Sequence, residues 1–368
     1  MRTPLLLAVL CSSLWCNAQL RPGFDKAEYL ELLRVISSGI DSMMEGYKLD
    51  APERFERIYR SPVVGMDNRW SLYSDHNGTV AIVLRGTTPR SVSWMENFYS
   101  AMVPATGSMK LDDGPTFDYS LSSDPKAAVH VGWLLGIGHL ERTLLPKLDS
   151  CLAAGGRNVL IGGHSQGGAL AYLLTAHLWQ LRASGRLPAD VVLKTYCSAA
   201  PKPGNLPFAR DYEHTTRGGW TVNVVNAADW VPETPVTVQT SDDFNAVNPF
   251  VQAKPLIRKL PFPQDLFVIG MFNKLDRPTK QARRNFKKLL GGRAGKLAAK
   301  GLPGYVPPAY ADCSDYVRIG PILVLQPDAA YRTAWPDDPK RIFMHHGLQR
   351  YYELMERYDP IGWTNSGK

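Results

Sequence analysis

The sequence predicts an α/β layer fold built around a mainly parallel sheet. Two observations carry this. Short apolar segments of strand length alternate along the chain with longer stretches of helical periodicity. One apolar segment, VLIGG (159–163), runs directly into a glycine-flanked serine, and a strong helical pattern begins straight after it. The bulk numbers agree: 368 residues with 44% hydrophobic and 21% charged side chains suit a globular chain with a sizeable core.

Taken in order, residues 25–45 space Tyr29, Leu32, Leu33 and Ile36 at helical intervals. TVAIVLR (79–85) reads as a buried strand, and residues 127–148 as a helix. After VLIGG, residues 168–183 form a helix. VVLKTYCSA (191–199), TVNVVNA (221–227) and RIGPILVL (318–325) are further strands, and 347–358 is a terminal helix. No linker divides the chain. Residues 19–368 are expected to form one domain, in which 236–315, rich in Pro and Lys/Arg, is an insertion before the last strand.

The first eighteen residues combine Arg2, a short apolar run and a Cys16-Asn17-Ala18 ending. This pattern predicts a signal peptide cleaved after Ala18 and export to a periplasmic or extracellular location. A retained anchor is the alternative. A lipidated Cys11 or Cys16 fits less well, because Leu10 and Trp15 precede them. Cys151, Cys197 and Cys313 are odd in number and far apart. They predict no disulfide framework and no CxxC-type metal site; one disulfide or three core fillers stay open.

The net charge of +8 belongs to one segment. Residues 254–300 carry thirteen Lys or Arg against Asp265 and Asp276, a local +11, so the rest of the chain sums to −3. Within it Ala282, Phe286, Leu289 and Leu290 recur at helical spacing, with Lys280, Arg283, Arg284, Lys287 and Lys288 mostly between them. Pro278 could open this helix and Gly291-Gly292 close it. A basic amphipathic helix suits an anionic membrane surface, and equally a solvated helix packed on the body. No nucleic-acid reading motif accompanies it.

The chemistry centres on GGHSQGGAL (162–170). Strand, G-x-S-x-G and helix in that order are the context of a nucleophile elbow. The serine of such a turn needs neighbours without side chains, which Gly163 and Gly167 provide. The helix that follows aims free N–H groups at the site, and the backbone of Gln166 could donate to an oxyanion. Ser165 needs a base and the base needs an acid, following in the order Ser, Asp or Glu, His. Asp229 lies just past the strand that begins at Thr221; Glu233, Asp242 and Asp243 are alternatives. Only His345 and His346 follow the last predicted strand. His164 should point away from the serine, and His130 suits a packing or hydrogen-bonding role near the site.

Six stretches, VLRGTTP (83–89), AAVHVGW (127–133), GGHSQGGAL (162–170), SAAPKPGN (198–205), VVNAADWVPETP (224–235) and MHHGLQRYYEL (344–354), together resemble the class 3 lipases, fungal triacylglycerol lipases and their plant relatives, in the family's order. The resemblance implies an α/β-hydrolase fold with helices on both faces of the sheet. It implies a Ser165–His346–Asp229 triad, with His346 preferred over His345 for its spacing to Tyr351, and oxyanion donors at Thr87 and Gln166. It also implies a lid at SVSWMENFYSAMVP (91–104), bearing Trp94, Phe98, Tyr99 and Met102; the basic insertion is a second candidate cover. Gly162, where relatives carry an apolar or hydroxyl residue, should loosen the strand end. The expected activity is ester hydrolysis on lipid, without metal or cofactor. A catalytically silent binding protein, or a surface-binding module working through 254–300, are the rival readings.

Overall fold

The computed structural model describes residues 19–40, 46–250 and 253–358; the expected signal segment, with Cys11 and Cys16, lies outside them. The central sheet has seven strands in the order Glu56–Arg60, Trp70–Ser74, Thr79–Leu84, Asn158–His164, Val192–Ser198, Thr221–Asn226 and Ile322–Leu325. The first three run antiparallel to one another, and every later pairing is parallel.

Alternation along the strands fills two cores. Val80, Ile82, Leu84, Val159 and Ile161 join Leu134, Leu135, Leu170 and Leu173, from the helices Val131–Ala153 and Gln166–Ala183, on one face. Ala81, Val83 and Leu160 join Tyr29, Leu32, Ile36, Leu348 and Tyr351, from the helices Lys26–Ser38 and Leu348–Arg357, on the other. Strands buried on both faces read as continuous apolar runs, which is why TVAIVL and VLI were legible. Helices on both faces of a mainly parallel sheet make this the expected α/β-hydrolase fold.

Several local expectations are corrected. Residues 128–130 are not helical: Ala128–His130 pairs with Met102–Pro104, and the helix begins at Val131. The His130 side chain accepts from the Trp133 N–H at 3.2 Å and caps the helix there. The last strand is only Ile322–Leu325, because Gly320 takes a positive φ of 78° and Pro321 follows it. The edge strand ERIYR and its neighbour WSLYS escape sequence reading because they lack an apolar run. Gly162 does not loosen its strand. It pairs with Val83 and Tyr196, and a Cβ there would lie 2.7 Å from Leu32 Cδ2. The glycine makes room for the covering helix.

The insertion also differs from expectation. Pro278 lies inside the helix Gln264–Phe286, and Gly291-Gly292 lies in a π-helical turn, Lys287–Arg293, that leads on to Ala294–Gly301. Pro278 is solvent-exposed. The glycines serve contact: a Cβ on Gly291 would meet Ala101 Cβ at 2.9 Å, and one on Gly295 would meet the Tyr310 hydroxyl at 2.3 Å. Cys151, Cys197 and Cys313 are all free thiols.

Candidate active site

The strand Asn158–His164 ends at Ser165, whose φ of 62° and ψ of −131° are uncommon for a residue with a side chain. The flanking glycines make this turn feasible. A Cβ on Gly163 would sit 2.2 Å from the Gly167 oxygen, and one on Gly167 would sit 2.2 Å from the Leu84 oxygen. Ser165 N–H is tied to the Ser198 oxygen of the adjacent strand at 2.9 Å. The helix Gln166–Ala183 starts at once, and its first N–H groups have no intrahelical acceptor.

Ser165 and His346 line the same cleft, of about 750 Å3, together with Thr87 and Gln166. Apolar side chains from distant segments complete its walls, among them Ile36, Trp94, Val231, Phe286, Leu290 and Phe343. Phe343 stands beside Trp94, Trp230 and His346, with ring centroids 5.8, 5.3 and 6.1 Å away.

His346 is buried and its Nδ1 lies 2.7 Å from Asp229 Oδ2. The same oxygen accepts a hydrogen bond from the Tyr351 hydroxyl at 2.7 Å, and Oδ1 accepts from Val231 N–H at 3.0 Å. Burial alone would raise the Asp229 carboxyl; His346 and these hydrogen bonds outweigh it and hold the group below its ordinary value. Asp229 is therefore an anion with an imidazole to orient. Burial and Asp229 push the Tyr351 phenol well above its usual range, so it stays a donor. His345 is engaged elsewhere, with Nε2 at 3.0 Å from Asp337 and Nδ1 at 2.9 Å from Tyr331. Asp242 pairs with Lys280 and Arg283, Asp243 caps the turn at Thr240, and Glu233 is exposed. None of the three bonds His346.

His164 is a buried residue at the cleft lining and is coupled to the catalytic turn. Its Nε2 lies 2.7 Å from the His346 main-chain oxygen, and its Nδ1 lies 3.0 Å from Ser198 Oγ. A carbonyl only accepts, so Nε2 carries the proton and Nδ1 receives the Ser198 hydroxyl. Burial drives the His164 pKa down to about 3, which keeps the ring neutral. Tyr29 extends the chain with a 2.7 Å contact to Ser198 Oγ.

On the opposite side, Thr87 Oγ1 donates to Gln166 Oε1 at 2.8 Å and accepts from Asn97 Nδ2 at 2.9 Å. The buried Gln166 side chain also reaches Asn68, whose Nδ2 donates to Glu96 Oε2 at 2.6 Å. Glu96 is fully buried, and burial pushes its carboxyl well above the usual range. The loop before the helix Ser91–Phe98 is pinned by Asp67, which accepts from Thr88 Oγ1 at 2.5 Å and from Arg90 at 2.8 Å. The hydroxyl of Thr87 and the amide of Gln166 are thus engaged with each other, which leaves their main-chain N–H groups for a ligand.

His130 stacks on Trp133 at 3.6 Å and reaches the Asn97 oxygen, a structural role close to the site. Of the four residues named for a lid, Trp94 and Phe98 line the cleft and Phe98 is 60% exposed. Tyr99 and Met102 do not cover it: both are fully buried, Tyr99 against Tyr305 and Tyr310, and Met102 in its strand pair. Among the described residues, no group of His, Cys, Asp and Glu could hold a metal, and no helix is long and apolar enough to cross a membrane.

Residues 81–239 match the family described as Lipase (class 3). That span contains Thr87, Ser165, Gln166 and Asp229, while His346 lies beyond it. Comparison with curated proteins returns no match. Among solved structures, lipase II from Rhizopus niveus is 23% identical with a TM-score of 0.43, over 57% of this chain and 74% of that one. The Lip2 lipase from Yarrowia lipolytica is 18% identical with a TM-score of 0.42, over 59% and 79%. A triacylglycerol lipase from Penicillium expansum is 19% identical with a TM-score of 0.42, over 58% and 75%. The match to the class 3 lipase family covers residues 81–239, less than half of the chain, and it supports a carboxylic ester hydrolase.

Proposed function

We propose that the protein is an exported hydrolase that cleaves acylglycerol or phospholipid esters through an acyl-enzyme on Ser165. The observation that carries this reading is the strained Ser165 turn opening onto a cleft that also presents the Asp229-paired imidazole of His346. Ser165 Oγ attacks the ester carbonyl carbon, and His346 takes the hydroxyl proton through Nε2. Asp229 holds the ring through Nδ1 and stabilises the imidazolium. The N–H groups of Thr87 and Gln166 receive the oxyanion. Collapse expels the alcohol, which takes the proton from His346. Water then attacks the acyl carbon by the same route, and Ser165 is regenerated.

The apolar cleft walls support an acyl chain as the bound group, and export agrees with the composition of residues 1–18. The basic insertion supports attraction to anionic lipid. Hydrolysis of an acyl-chain-length series, presented as monomers and as aggregates, tests the reading. Wild type should prefer long chains in aggregates, and Ser165→Ala should hydrolyse all of them roughly 10⁴-fold more slowly or worse. A preference for short monomeric esters would keep the hydrolase and remove the lipase.

A further inference from the structure

The helices of the insertion carry two unlike surfaces. The C-terminal part is docked on the body. Ala294 and Ala298 are buried, Phe286 and Leu290 line the cleft, and Ala101 N–H bonds the Leu290 oxygen at 3.2 Å. Cations there are already paired. Lys280 lies 2.9 Å from Asp242, Arg283 2.8 Å from Asp242 and Lys287 2.6 Å from Asp312. Arg284 bonds Gln281. Most of the cations expected to meet a membrane are therefore internal struts, and Lys288 alone of the five lacks such a partner among the described residues.

The other end differs. No residue of 253–275 is buried, across the short helix Ala253–Ile257 and the first half of Gln264–Phe286. Phe262, Phe267 and Leu275 are 80%, 68% and 75% exposed, with Leu266 and Met271 exposed beside them. Phe267, Met271 and Leu275 follow at intervals of four and form one stripe. Lys274 and Arg277 lie along this exposed side, and Arg258 and Lys259 precede it in the adjoining turn. None of these four cations has an acidic partner among the described residues. An apolar ridge edged by unpaired cations matches the boundary between acyl chains and anionic head groups. A nucleic acid would satisfy the cations and leave the ridge in water.

We propose that this end of the insertion docks the protein onto an anionic lipid surface. The ridge from Phe262 to Leu275 enters the acyl region, and Arg258, Lys259, Lys274 and Arg277 meet the head groups. The proposal rests on the lipid-ester reading above and names the residues that hold the substrate surface. The same helix runs on to Phe286 at the cleft wall, roughly 29 Å from Phe267 at the helical rise per residue, so the anchor and the cleft share one rigid element.

The test is co-sedimentation of the full chain with vesicles of phosphatidylcholine, alone or mixed with phosphatidylglycerol. One variant carries Phe262→Ser, Phe267→Ser and Leu275→Ser; another carries Arg258→Gln, Lys259→Gln, Lys274→Gln and Arg277→Gln. Wild type is expected to bind the mixed vesicles, and each variant to bind about tenfold more weakly or worse. Both variants should hydrolyse a soluble short-chain ester at the wild-type rate, which also shows that they fold. Variants that bind like wild type, or wild type that binds neither vesicle, overturn the proposal. So does a wild-type dimer that the serine variant splits, with no vesicle binding, which would make the ridge a contact between two copies. Wild type that binds and variants that do not, without lipid hydrolysis by any of them, would keep the docking surface and remove the lipid-ester reading.

Discussion

His164 Nε2 and the main-chain oxygen of His346 are 2.7 Å apart, joining the strand that presents the serine to the turn that presents the imidazole. The bond fixes the backbone from which the His346 ring projects, while Asp229 fixes the ring itself. His164→Leu leaves that buried carbonyl without a donor, at a cost of about 1–3 kcal/mol. If the loss falls on ring placement, kcat drops by roughly tenfold with KM nearly unchanged, and His164→Gln, which keeps a donor, recovers part of it. Steady-state kinetics on a soluble ester checks this. A rise in KM at constant kcat would contradict it.

Tyr351 gives Asp229 a hydrogen bond in addition to that from His346. Tyr351→Phe removes it at little cost in packing. Net loss of a hydrogen bond to a charged group is about 1.5–3 kcal/mol, so kcat/KM should fall by about tenfold or more. The Asp229 carboxyl should also move up toward its ordinary value, because one of the bonds that holds it down is gone. The acid limb of kcat/KM against pH reads that shift, and an unmoved limb would show that the bond contributes nothing to the charged form.

Glu96 lies buried behind the Gln166 turn, and burial pushes its carboxyl well above the usual range, toward the neutral acid. Glu96→Gln should therefore change stability by less than about 1 kcal/mol, whereas Glu96→Leu strands Asn68 Nδ2 and should cost about 1–3 kcal/mol. Urea unfolding separates them. A large loss on Glu96→Gln would mean that the native carboxyl is ionised.

Three buried histidines predict an acid-sensitive fold. Burial holds His130 and His164 to about 3 and His139 to about 4, against an ordinary 6.5. Their folded values lie below their unfolded ones, so the unfolded chain binds more protons between those limits. Their contribution is complete above pH 6.5 and is lost as pH falls toward the folded values. Asp229, also depressed, adds to the loss at lower pH. Stability should fall by about 1.4 kcal/mol per pH unit for each histidine involved. Denaturant titrations at pH 7, 6 and 5 test this, and a flat profile across that range would contradict it.

The strands and the nucleophile turn were readable because burial on both faces writes an apolar run, and a tight turn writes its glycines. Asp229 and the pair His345–His346 were readable as residues that follow particular strands, and only the family resemblance preferred His346. The partners behind them were not. Asn68, Glu96 and Asn97 sit at ordinary-looking positions and meet Gln166 and Thr87 only in three dimensions. Tyr99 and Met102 looked like cover residues because an aromatic stretch does not say which side chains turn inward. In the insertion, helical spacing placed apolar and basic residues correctly on helices. It could not show that Lys280, Arg283 and Lys287 were already paired, nor that the exposed ridge lay one to five turns earlier.

If Ser165 is the nucleophile, a phosphonate ester that mimics the acylation step reacts with it covalently. Intact-mass analysis and peptide mapping of the treated protein should show one adduct per chain, on Ser165, formed in proportion to the loss of ester hydrolysis. Ser165→Ala should take up none and hydrolyse esters roughly 10⁴-fold more slowly or worse. A labelled residue other than Ser165, or a Ser165→Ala variant as active as wild type, would show that Ser165 is not the nucleophile.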